Sequence, residues 1–145
     1  MKKDVLITIK GIQKVDGEDD VVELTTVGNY YKRKGSYCMT YDESEATGFE
    51  GEQTTLSVDP LGLVTMSRLG RERSQLVIEP GVRHQCHYET EYGPLVLGVL
   101  GTSTKSSLTD EGGELNFKYS LDINTALASE NEVHVTVKEV KKHDA

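Results

Sequence analysis

Two predicted strands carry the residues that are best suited to chemistry. Tyr41 and Glu43 follow Met39 at alternate positions of one strand, and Arg68 follows Met66 in the same way on another. Alternate residues of a strand share a face, and the two methionines mark the face that turns inward. A carboxylate in an apolar interior is costly unless it is paired. We therefore expect a Glu43–Arg68 ion pair inside the fold, with Tyr41 beside it.

This group of residues has three interpretations. In the first, the ion pair is structural and fixes the register of the strands. In the second, it is the polar end of a ligand cavity, because such cavities are mostly apolar with a few convergent polar groups. In the third, Glu43 is a general base, but the sequence supplies no obvious nucleophile or oxyanion-binding group to accompany it. We assign no catalytic residue and favour a protein that is not an enzyme.

The histidines and cysteines do not predict a metal site. His84 and Cys86 are two residues apart on one strand and could reach one ion, but a zinc site needs at least three protein ligands. Neither His87 nor His134 has a spacing that adds a third ligand. We predict no metal and no cofactor. A disulfide between Cys38 and Cys86 depends on their separation, and we expect both thiols to be reduced.

A period of two runs through almost the whole chain. It is clearest in one segment, where alternate residues are apolar and the residues between them are polar: Leu115, Phe117, Tyr119, Leu121 and Ile123. Strict alternation predicts a strand with one dry and one wet face. About ten such segments, separated by Gly, Pro and Asp turn signals, are typical of a β-sandwich or β-barrel. Segment 124–130 alone could be helical, as at most a short turn before the last strand.

The number of strands and their short connections favour a closed sheet. Both terminal strands have apolar faces that need cover, and closure removes the two exposed edges. Gly98 and Gly101 lie inside a strand that is apolar on both faces, which suggests a bulge or a sharp coil. No linker or repeat divides the chain. The sequence predicts one all-β domain, residues 1–145, as an antiparallel barrel of roughly 8–10 strands.

Charge and composition exclude several classes of partner. The formal net charge of −8 disfavours nucleic acid, which binds basic surfaces. The basic run at residues 32–34 is expected at an exposed hairpin tip. No apolar stretch approaches the ~18 residues of a membrane-spanning helix, and no apolar signal segment follows the first residues. We expect a cytoplasmic protein with no membrane partner.

Four ordered motifs carry a resemblance to a known family. They are Tyr41-Asp42-Glu43, residues 64–70 (VTMSRLG), residues 88–93 (YETEYG) and Tyr119-Ser120-Leu121. With them the chain resembles the YwiB-like family, uncharacterised bacterial proteins with a lipocalin-like (calycin-type) β-barrel, from about Val5 to Val140. The resemblance implies a barrel interior that could accept a small molecule, and it implies no established activity.

Together these observations predict a barrel that binds a small, partly apolar molecule. The expected ligand-binding residues are Tyr41, Glu43, Met66, Arg68, Tyr88 and Tyr119. We expect a ligand of modest size with an anionic end that meets Arg68. The alternative is a non-catalytic interaction or scaffold protein with a packed core, in which the doubly apolar segment 95–100 supports a homodimer.

Overall fold

The computed structural model describes residues 2–43, 51–70, 73–90 and 92–140, which form ten strands. Predictions on the other residues, such as Glu91 of the third motif, lie outside this description. The strands are β1 (Lys2–Val15), β2 (Glu18–Arg33), β3 (Ser36–Asp42), β4 (Gln53–Val58), β5 (Val64–Leu69), β6 (Arg73–Ile78), β7 (Arg83–Thr90), β8 (Gly93–Ser106), β9 (Gly112–Ile123) and β10 (Ala126–Glu139). None of the described residues form a helix long and apolar enough to cross a membrane.

The strands close into one antiparallel barrel. Each strand pairs with the next one along the chain, and β10 returns to pair with β1. This up-and-down order is the connectivity that lipocalins also have. The prediction of an all-β antiparallel barrel is confirmed, with a strand number at the upper end of the expected range.

Two-residue turns explain why neighbouring strands are antiparallel. Asp16-Gly17 and Lys34-Gly35 each have two consecutive positive φ values, 51° and 81° for the first pair and 51° and 83° for the second. This backbone matches the right-handed twist of a hairpin, and glycine adopts it without steric cost. The second turn confirms that the basic run lies at a hairpin tip.

The prediction of a helical turn in segment 124–130 is wrong. Asn124 and Thr125 have φ values of 52° and 67°, and β10 begins directly after them at Ala126. Two consecutive residues in the left-handed region form a tight hairpin turn rather than a right-handed helix. The helix-favouring run of Ala, Leu and Ala is therefore extended, because pairing with β9 outweighs local propensity.

Irregular positions shape the barrel wall. The ladder between β8 and β9 shifts register between Gly101 and Ser103, which confirms the bulge expected at Gly101. A Cβ atom on Gly101 would lie 2.4 Å from the carbonyl oxygen of Glu79. Only glycine permits this close approach of two backbones. Within the described residues, β2 pairs with β3 only from Asn29 to Arg33.

One half of the barrel is filled by side chains, and we call it the packed half. It lies at the end that carries the β2–β3, β4–β5 and β6–β7 turns. The residues that fill it are at most 3% exposed and include Val5, Val58, Val64, Ile78, Leu115 and Val135. The other half is not filled in this way, and the candidate site lies there.

Candidate functional site

The open half of the barrel contains a cavity of about 440 Å³. All ten strands contribute residues to its lining. Each of the six residues predicted to bind a ligand lies in this lining: Tyr41, Glu43, Met66, Arg68, Tyr88 and Tyr119. The structure therefore brings the predicted set together around one space, and its role in binding stays a prediction.

A row of polar residues runs around the barrel wall at the cavity. Tyr41 lies opposite Thr54, Thr54 opposite Arg68, Arg68 opposite Ser74, and Ser74 opposite Tyr88. Directly paired residues of antiparallel strands place their side chains on the same face. We call these five residues the polar row.

An apolar row lies one step deeper in the barrel, toward the packed half. Leu56 lies opposite Met66, and Met66 lies opposite Leu76. Leu97 of β8 and Leu121 of β9 extend the apolar lining on the far side of the cavity. The cavity thus has an apolar floor, made by these five residues, below a polar row that faces its outer part.

The expected ion pair between Glu43 and Arg68 is present. Arg68 Nε lies 3.7 Å from Glu43 Oε1, and the side chains are 22% and 2% exposed, respectively. Thr54 Oγ1 donates a hydrogen bond of 2.6 Å to the same carboxylate oxygen. The other oxygen, Glu43 Oε2, is buried and has no hydrogen-bond partner among the described residues. One oxygen of this carboxylate therefore has polar partners, and the other has no hydrogen-bond partner among the described residues.

Burial changes the acidity of two tyrosines that line the cavity. Burial raises the pKa of Tyr41 far above its ordinary value, and the negative charge of Glu43 raises it further. Burial also raises the pKa of Tyr119 to about 12, although the nearby charge of Arg68 acts in the opposite direction. Both phenols are consequently neutral hydroxyl groups at physiological pH.

The raised pKa values of these tyrosines predict a loss of stability in alkaline solution. The unfolded chain loses the phenolic protons near their ordinary pKa of about 10, whereas the folded protein keeps them. The free energy of unfolding should therefore not depend on these groups below about pH 10. Above that pH it should fall by up to about 1.4 kcal/mol per pH unit for each tyrosine. Urea titrations between about pH 9 and 12 measure this fall.

The matched variant for this experiment is Tyr119→Phe. The phenylalanine ring keeps the packing and removes one titrating group, so the fall with pH should become shallower between the ordinary pKa and about 12. The same pH dependence in the variant and the wild type would contradict the assignment.

The chain is similar in sequence to a described protein family and to a protein of Bacillus subtilis. Residues 7–135 match the family described as "Domain of unknown function (DUF1934)". The chain belongs to the DUF1934 family. It is 26% identical over 125 residues to "Uncharacterized beta-barrel protein YwiB" of Bacillus subtilis (strain 168), covering 85% of this chain and 86% of that protein. The resemblance to the YwiB-like family is confirmed.

A solved structure supports the fold of this DUF1934 domain. The crystal structure of the ywiB protein from Bacillus subtilis superposes with a TM-score of 0.84 and covers 97% of this chain and 94% of that chain. The two sequences are 21% identical in this alignment. The similarity establishes a shared barrel architecture.

Sequence reasoning missed several polar residues of the DUF1934 site. Thr54 and Ser74 belong to the polar row, and a second polar contact lies nearby, where Asn131 Nδ2 donates to Ser129 Oγ at 2.9 Å. The alternation of Thr54 with Leu56 and Val58 could have placed Thr54 on the inward face. Ser74 has no such signal, because its position depends on the register between β5 and β6.

The histidine and cysteine residues have other partners. His84 Nε2 lies 3.1 Å from Glu79 Oε1, while Cys86 is buried and its Sγ accepts a hydrogen bond of 3.4 Å from the Val77 backbone N–H. Cys38 and Cys86 are both free thiols. In the part of the chain that the structure describes, no three His, Cys, Asp or Glu residues are grouped to hold a metal ion.

Proposed function

We propose that this protein binds a small, partly apolar molecule in the open half of its barrel. The cavity of about 440 Å³ carries this proposal, because it lies within the range of known ligand sites, roughly 300–1,000 Å³. Its apolar floor and polar row also match the usual composition of such sites. An apolar body would contact the floor, and a polar group would meet the row.

The charges in the cavity argue against the anionic ligand that the sequence suggested. That expectation rested on Arg68 alone. The structure places Glu43 against Arg68, and Asp20 and Glu132 also line the cavity, so no excess positive charge remains there to attract an anion. We therefore propose a ligand that is not anionic.

Binding without catalysis is part of the same proposal. Glu43 accepts a hydrogen bond from Thr54 and pairs with Arg68, which holds it in place as a recognition group. We also propose that the protein works in the cytoplasm, which the two free and buried thiols support.

Filling the cavity from Gly11 tests the proposed function. Gly11 lines the cavity, and a Cβ atom there would meet nothing within 4 Å. Gly11→Trp should therefore place an indole ring in the space without a steric clash. Titration with the neutral fluorescent probe N-phenyl-1-naphthylamine should show saturable binding to the wild type and at least about tenfold weaker binding to the variant.

Val27→Trp is the matched control for this experiment. Val27 is 60% exposed on β2, so the same substitution there should leave probe binding unchanged. Native mass spectrometry of gently purified protein adds an independent readout, since a bound molecule appears as extra mass that denaturation removes. Lack of probe binding to the wild type, or equal binding to Gly11→Trp, would contradict the proposed function.

A scaffold or homodimer role remains the second candidate. The packed half of the barrel is the observation in its favour, together with two apolar side chains on the outer face of β8. Val96 and Leu100 are 45% and 40% exposed. The charge states of the same native mass spectrum report whether a second copy of the chain is bound.

A further inference from the structure

We propose that the unpaired edge of β2, residues 19–25, binds an extended basic segment of a partner protein as an added strand. This inference goes beyond the proposed function, because it concerns the barrel wall and a protein partner. Two observations carry it. One is a row of backbone groups that pair with no described strand, and the other is the charge along that row.

Strand β2 is paired along most of its length on one side only. On that side, Glu18 to Tyr31 align with β1. On the other side, pairing with β3 among the described residues starts at Asn29. The backbone groups that precede Asn29 on this side therefore lack a strand partner in the described part of the chain. A row of unpaired N–H and C=O groups is a template for another strand.

The turn at Lys34-Gly35 shows which residues have these groups. Arg33 and Ser36 flank this two-residue turn and are paired with each other, so they exchange backbone hydrogen bonds. Alternate residues point their backbone groups to the same side of a strand, and the odd-numbered residues of β2 therefore face away from β1. Among the described residues, four of them have no backbone hydrogen bond on this side: Asp19, Val21, Glu23 and Thr25.

The side chains of the unpaired edge divide between the cavity and solvent. Asp20, Val22 and Leu24 line the cavity. The odd-numbered side chains are exposed, and Val21 is 49% exposed. An added strand would direct its own side chains alternately to the same two faces. Apolar residues of the partner would suit the cavity face, where Val22 and Leu24 are its neighbours.

The charge along this part of the chain favours a basic partner. Residues 10–28 contain five acidic residues and two lysines. Lys10 and Lys14 belong to β1, where they lie opposite Glu23 and Asp19, and residues 18–28 of β2 contain no basic residue. A second copy of the chain would bring a second set of carboxylates to the same edge. Lysine or arginine side chains of a different protein would instead complement it.

A synthetic strand tests the inference by fluorescence anisotropy. The probe is a fluorescein-labelled peptide of eight residues in which lysine and valine alternate, titrated with the whole protein at physiological ionic strength. We expect saturable binding, and at least about tenfold weaker binding of a peptide with glutamate in place of lysine. The lysine–valine peptide methylated on its backbone nitrogen atoms keeps its charge but has no N–H donors. It should also bind at least about tenfold more weakly.

Val21→Pro blocks the edge and keeps the pairing of β2 with β1. The N–H group of Val21 points away from β1, so proline removes only a donor of the unpaired edge. This variant should bind the lysine–valine peptide at least about tenfold more weakly than the wild type does. Val21→Thr is the matched control, because it keeps the N–H group and should bind the peptide as the wild type does. Urea titrations check that both variants fold.

A charge-reversal variant tests the second observation without any change to the backbone. Asp19→Lys/Glu23→Lys should bind the glutamate–valine peptide more tightly than the lysine–valine peptide, which is the reverse of the wild-type preference. An unchanged preference in this variant would overturn the assignment of the partner's charge to this edge.

Three other results would overturn the inference. The first is a lack of saturable binding of the lysine–valine peptide to the wild type. The second is equal binding of the methylated peptide, which would mean attraction between charges without strand addition. The third is equal binding to the wild type and a folded Val21→Pro variant, which would place the peptide elsewhere on the protein. Binding of the fluorescent probe in the cavity is a separate measurement, so the proposed function is tested independently.

Discussion

Replacing Arg68 by methionine should lower the free energy of unfolding by about 3 kcal/mol. The Glu43 side chain is 2% exposed, and Arg68 supplies the positive charge beside it. Without Arg68, the buried carboxylate keeps the Thr54 hydroxyl as a partner but loses its charge compensation. Urea denaturation followed by circular dichroism measures the change. A loss of this size would show that the ion pair has the structural role that the sequence first suggested.

Two further variants control this experiment. Arg83 forms two short hydrogen bonds with Asp122, of 2.9 and 2.6 Å, in an exposed ion pair. Because solvent screens exposed pairs, Arg83→Met should cost clearly less than Arg68→Met. Glu43→Met/Arg68→Met should recover most of the stability, since replacing a whole buried pair by apolar residues is often neutral. Equal losses for the two arginine variants would refute the account of a buried pair.

The same truncation should have very different costs in the two halves of the barrel. Leu115 and Leu121 lie on the inward face of β9, but Leu115 is fully buried in the packed half and Leu121 lines the cavity. Leu115→Ala would create an enclosed void in a close-packed region and should cost about 2–5 kcal/mol. Leu121→Ala only enlarges an existing space, and we expect less than about half of that loss.

This pair of variants needs no further control, because strand, face and substitution are the same. Thermal or chemical denaturation of both variants gives the comparison directly. A loss at Leu121 equal to that at Leu115 would mean that the open half is as tightly packed in solution as the packed half. It would also remove the main support for a ligand cavity.

The alternation of side chains between the two faces of a strand made much of the site predictable from sequence. A period of two is a strong constraint, because it places Met39, Tyr41 and Glu43 on one face without any knowledge of the neighbouring strands. The same rule applied to Met66 and Arg68 brought both strands to a common interior. The ion pair then followed from the cost of an unpaired buried carboxylate.

Other features depend on how strands align with each other. Ser74 joins the polar row only through the register of β6 against β5 and β7, which sequence alternation does not define. The turn at Asn124 and Thr125 depends on backbone twist and on pairing with β9, so local propensity gave a helical turn instead. Whether the interior is filled depends on the volumes of all the inward side chains of the closed barrel. The alternation along each strand shows which side chains point inward, but it does not show whether they fill the space.

The pairing of the last strand with the first makes the order of the barrel cyclic. The backbone N–H of Val140 donates to the carbonyl oxygen of Asp4 at 3.3 Å, so the two ends of the described chain meet beside the turn at Lys34-Gly35. A circular permutant that starts at Gly35, with a short linker from residue 140 back to residue 2, would keep all ten strand pairs. The cavity would then lie at the far end from both the new ends and the linker, where tags would not obstruct it.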